Sequence, residues 1–98
     1  MEKPWVVIVD ENEQAMRSAS AQVEPWATVN GLDVVSFLSS EQAISFVAEK
    51  TEAVAMVVAN HALSGTTGSK LLTRAKESAP DTIGIVYSNE IDVTSGKC

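Results

Sequence analysis

The stretch Trp5-Val6-Val7-Ile8-Val9-Asp10-Glu11-Asn12 decides the fold. Its first five residues are an unbroken apolar run, without the alternation of a strand that keeps one face in water. Such a run is the mark of a strand buried on both faces, as in parallel sheets covered by helices on each side. At Asn12 the period changes. Ala15, Met16, Ala19 and Val23 lie three or four apart with Glu13, Gln14, Arg17, Ser18 and Gln22 between them, which predicts an amphipathic helix. Pro25 disfavours helical geometry at Glu24, so the helix is expected to end there. Trp26 to Asp33 then reads as a connection holding the turn pair Asn30-Gly31.

The pattern repeats downstream. Val34 to Leu38 is a second short apolar run, and Ser39 followed by Gln42 gives a capping box for a helix that turns Ala43, Ile44, Val47 and Ala48 inward. Ala53 to Ala59 is a third strand, and Asn60 to Thr67 a polar loop. Leu71, Leu72, Ala75 and Ala79 mark a third helix that stops at Pro80, and Ile83 to Tyr87 is a fourth strand. Strands alternating with helices across short connections predict an α/β fold: an open parallel sheet of about four strands with helices on both faces, flavodoxin-like in architecture.

Composition narrows the function. With 7 basic and 13 acidic residues among 98, the formal charge of −6 repels nucleic-acid phosphates and anionic membranes, so neither is an expected partner. No apolar stretch approaches the ~20 residues that span a bilayer, and Met-Glu-Lys-Pro-Trp has no secretory signature, which predicts a cytoplasmic protein. The one cysteine, Cys98, is the last residue and reads as an exposed thiol without a role.

In open parallel sheets the functional crevice lies beyond the carboxyl ends of the strands. That rule selects Asp10-Glu11, Asn60-His61, Ser88-Asn89 and the loop Leu63 to Thr67. The acidic strand end Val7-Ile8-Val9-Asp10-Glu11-Asn12, the segment Val54 to Gly68, and Ala79-Pro80-Asp81-Thr82 with Ile85-Val86-Tyr87-Ser88 together resemble the bacterial response-regulator receiver (CheY-like) domain. Receivers attached to cyclic-di-GMP-hydrolysing domains are especially similar. The resemblance covers the chain to about Ile91.

This resemblance implies a two-component (phosphorelay) signalling module in which Asp10 and Glu11 match the magnesium-binding acidic pair and Ser88 the switch hydroxyl. Gly68 matches the loop glycine, and counting back from it puts Asn60 at the phosphoacceptor position. Acyl-phosphate formation needs a carboxylate oxygen as nucleophile, and a neutral amide is far too poor a substitute. The chain is therefore expected to be a non-enzymatic pseudo-receiver without a cofactor, its Asp10-Glu11 pair holding Mg²⁺ weakly at best. Ser64 stands where the family usually has proline. His61, the only histidine, reads as an exposed loop residue, and Lys97 is in the wrong context to replace the family's lysine.

Residues 1–91 are expected to form the domain and residues 92–98 a polar tail, without the final helix, strand and helix of the family. The third and fourth strands would then be open on one face, over a patch of roughly 400 Å². A protein partner, most economically a second copy forming a homodimer, is expected to cover it. Two alternatives are a flavodoxin-like domain binding a small ligand or Mg²⁺, and a fragment of a longer response regulator.

Overall fold

The computed structural model describes residues 4–63 and 66–87. The expectations at Ser64, Ser88, Lys97, Cys98 and the 92–98 tail lie outside them. Along the chain come β1 (Trp5–Val9), α1 (Glu13–Val29), β2 (Asp33–Phe37), α2 (Ser40–Glu49), β3 (Val54–Asn60), the short strands β4 (Ala62–Leu63) and β5 (Thr66–Thr67), α3 (Gly68–Ser78) and β6 (Ile83–Tyr87).

Val6, Val7, Ile8 and Val9 have no exposed surface, because β1 pairs in parallel with β2 on one side and β3 on the other. β6 adds a further parallel pairing to β3, giving the order β2-β1-β3-β6. Alternate residues then divide between two cores. Val7, Val9, Val57 and Ala59 face α2 and α3, where Ala43, Val47, Leu71 and Ala75 meet them. Val6, Ile8 and Val58 face the opposite way, toward Met16, Ala19, Val23 and Ala27 of α1. Among the described residues, two helices thus cover one face and α1 the other, as the continuous apolar run of β1 demands.

Local signals set the helix starts. Asn12, Ser39 and Thr67 are extended N-caps whose side chains accept from the backbone N–H groups of Ala15, Gln42 and Lys70. The end of α1 differs from expectation: the helix runs through Pro25 to Val29. Proline removes one donor, but the carbonyl it would have served, that of Ala21, belongs to an exposed residue and can be hydrated. The extra turn buries Ala27 completely. It closes with Leu32 N–H donating to the Ala27 carbonyl and Gly31 N–H to that of Thr28, a Schellman end with Gly31 at φ 73°. The Asn30-Gly31 pair therefore terminates a helix, where a turn within a longer connection was expected.

Two smaller differences follow. Ala48 of α2 is exposed, since only Ala43 and Val47 of that helix are buried. The stretch expected as a plain loop after β3 contains an antiparallel pairing of Ala62 with Thr67 and Leu63 with Thr66.

The fourth strand carries the expected exposure and the third does not. Val58 is 6% exposed under α1, whereas Ile83 and Ile85 of β6 are 56% and 42% exposed. α1 packs over β1 and β2, so its cover does not extend as far as β6, which lies at the edge of the described sheet.

Candidate functional site

Asp10, Asn60 and Tyr87 come from three different strand ends, and the sheet's alternation brings them together. Asp10 continues the parity of Val6 and Ile8, Asn60 that of Met56 and Val58, and Tyr87 that of Ile83 and Ile85. All three side chains consequently project on the α1 side at the carboxyl end of the sheet. The parallel register pairs Asn60 directly with Tyr87.

Asp10 is 1% exposed, and its carboxylate is satisfied by hydrogen bonds from three neighbours. The backbone N–H of Asn12 donates to Oδ1 at 2.9 Å. The Asn60 amide donates from Nδ2 to Oδ2 at 2.9 Å, and the Tyr87 hydroxyl donates to the same oxygen at 2.5 Å. A carboxylate only accepts, so the partner that Asn60 turns toward it must be its NH₂ group. Burial pushes the Tyr87 phenol well above its ordinary pKa, and the hydrogen bond to Asp10 and the negative charge of that carboxylate push the same way.

The backbone around this network is close-packed. His61 N–H donates to the Tyr87 carbonyl at 2.7 Å, and the His61 carbonyl accepts from Gly68 N–H at 3.0 Å. A Cβ on Gly68 would stand 2.5 Å from the Asn60 carbonyl oxygen. Glycine at this position is therefore a packing requirement, one that lets the start of α3 press against the backbone of Asn60 and His61. His61 itself is exposed.

The sequence singled out Asp10, Glu11, Asn60 and Gly68, and the fold places all four at this end of the sheet, with Asp10 and Asn60 in direct contact. Tyr87 was missed. The signal for it was its parity with Ile83 and Ile85, together with a side chain long enough to reach across β3 to the end of β1.

A resident magnesium ion does not fit the residues present. Magnesium takes six oxygens, commonly including more than one carboxylate. Here both oxygens of Asp10 already accept hydrogen bonds, one of them from two donors. Among the described residues no three Asp, Glu, His or Cys side chains gather where they could hold a metal ion. No described helix is long and apolar enough to cross a membrane.

No protein-family model matches the chain, and no curated protein does. Solved structures do. A response regulator receiver domain protein from Clostridium thermocellum is similar at a TM-score of 0.74 and 15% identity, over 94% of this chain and 70% of that one. The signal receiver domain of an HD domain-containing protein from Pseudomonas fluorescens Pf-5 gives 0.74 and 20%, over 96% of this chain and 65% of that one. Chemotaxis protein CheY4 of Vibrio cholerae gives 0.71 and 11%, over 97% and 76%. Strand order, helix placement and these similarities agree that this chain has the fold of the response-regulator receiver (CheY-like) domain.

Proposed function

We propose that this chain is a pseudo-receiver: a cytoplasmic, non-enzymatic module of a two-component-type pathway that signals by binding protein, independently of phosphorylation. The observation that carries the reading is the hydrogen bond from Asn60 Nδ2 to Asp10 Oδ2, with the Tyr87 hydroxyl on the same oxygen. Phosphoryl transfer onto a side chain needs an anionic oxygen with a lone pair free to attack phosphorus and a cation to neutralise the developing charge. The amide at Asn60 supplies no such oxygen, and its NH₂ group occupies a carboxylate oxygen that a cation would need. The crevice so arranged favours one fixed conformation, with partner binding carrying the signal that an acyl phosphate would otherwise bring.

Incubation with acetyl phosphate and magnesium, followed by intact mass measurement, tests this reading. The expected result is an unchanged mass. Addition of one phosphoryl group, mapped to any residue of the crevice, contradicts it.

A further inference from the structure

The side of the sheet opposite β6 ends in a strand whose outer edge borders an acidic groove. In the described sheet β2 pairs only with β1. Asp33 N–H donates to the Pro4 carbonyl, and the Phe37 carbonyl accepts from Asp10 N–H, so the odd-numbered residues of β2 direct their backbone groups at β1. By the alternation of a strand, the N–H and C=O groups of Val34 and Ser36 point outward, a template for one more strand.

Beside that edge, between β2 and α2, lies a groove of about 590 Å³ lined by Phe37, Glu41, Gln42, Ser45, Phe46 and Glu49. Its floor is aromatic: Phe46 meets Phe37 at a tilt and Trp5 edge-on, each with ring centroids 5.4 Å apart. Both phenylalanines are half-buried, so each ring keeps an accessible part. The rim is acidic. Glu41 and Glu49 are exposed, no basic side chain lines the groove, and among the described residues neither glutamate takes part in an ion pair.

Three features say what fits here. The first is charge: carboxylates beside aromatic rings suit an arginine, whose stem and guanidinium plane cover a ring while its donors meet a carboxylate. A second copy meeting this edge would instead set two acidic rims together. The second feature is spacing. Glu41 and Glu49 stand eight residues apart on one flank of α2, about 12 Å along its axis, and α2 runs back along the sheet because β3 starts level with β1 and β2. In an extended chain, residues four apart share a face and lie about 13 Å apart. A strand added beside β2 thus brings its first and fifth residues to the two carboxylates and its third to Ser45 and Phe46. The third feature is the edge itself, since hydrogen bonds to Val34 and Ser36 would hold such a segment extended and fix its register.

We propose that the β2 edge and the outer flank of α2 receive an extended segment of a partner protein with the pattern basic, any, apolar, any, basic. It adds a strand beside β2 and sets its two basic side chains against Glu49 and Glu41. This gives the chemistry of a partner for the protein-binding reading above and rests on that reading for its signalling role. The edge does not involve Asn60, so phosphorylation of the crevice would overturn that reading and leave this one standing, while failure to bind at the edge would do the reverse.

The test titrates the full chain with the peptide acetyl-Thr-Arg-Thr-Leu-Thr-Arg-Thr-amide and follows backbone amide resonances. Saturable shifts are expected at Val34 and Ser36 and along α2 from Glu41 to Glu49. Glu41→Gln and Glu49→Gln should each weaken binding about threefold, as should moving the second arginine by one position, to the opposite face of the strand. Ser36→Pro removes an outward N–H where an edge strand tolerates proline and should weaken binding about fivefold. Unchanged far-ultraviolet circular dichroism checks that each variant folds. Methylated peptides test the same pairing with the protein unaltered: of two peptides methylated at alternate backbone nitrogens, one should lose binding and the other keep it. Absence of saturable shifts up to about 1 mM peptide, equal binding of a peptide with glutamate in place of arginine, or indifference to both methylations would overturn the proposal. So would shifts at Val34 and Ser36 that follow the protein's own concentration, the mark of a second copy at the edge.

Discussion

Oδ2 of Asp10 is the point on which the site is built, because two side-chain donors from separate strands share it. A buried carboxylate is stable only while such donors replace its lost water. Removing one has a defined cost: Tyr87→Phe should lower stability by about 2 kcal/mol, measured as a shift in urea midpoint without change in slope. The same phenol sets a pH response. Its folded pKa lies above the unfolded one, so its contribution is fully present below pH ~10 and is lost as the pH climbs from there toward the folded value. Tyr87→Phe should flatten this alkaline loss, seen as a shallower fall of melting temperature above pH ~10. Asn60→Asp would set a second carboxylate against Asp10 and should cost about 3 kcal/mol at pH 7. Acid should relieve that cost by protonating one of the pair. Added magnesium should do the same, raising the variant's melting temperature and leaving that of the parent unchanged.

At the scale of elements, two glycines and a proline mark what could and could not be read from the chain. Gly68→Ala would drive a Cβ into the Asn60 carbonyl and should cost about 2 kcal/mol or more by equilibrium unfolding, since backbone has little room to give. Gly31→Ala meets no atom but must hold φ near 73°, so a loss of about 1 kcal/mol is expected. The strands and helix starts were legible because uninterrupted apolar runs and capping side chains act locally. The end of α1 was not. A rule about Pro25 and its neighbour competes with the burial of Ala27 a half-turn later, and only the tertiary contact shows that burial prevails. The Tyr87–Asp10 bond was hidden for a similar reason: 77 positions separate its partners, and it follows from strand order and parity jointly.

Across the whole molecule, protection should follow the sheet order. β1 and β3 are flanked by strands on both sides, while β6 pairs only with β3 in the described sheet. Amide hydrogen exchange is accordingly expected to be slowest at Val7 to Val9 and Val57 to Ala59, with Ile85 and Val86 exchanging at least tenfold faster through local opening of the edge. The exposure of Ile83 and Ile85 on β6 was expected from the sequence. The shielding of Val58 was not, since how far α1 reaches across the sheet depends on packing angles that periodicity does not encode.

The most direct test of the account is titration of the protein with magnesium and beryllofluoride while the Asn60 side-chain NH₂ resonances are followed by NMR. The account predicts that they keep their positions throughout, held by the Asp10 carboxylate. A saturable shift of those resonances would contradict it.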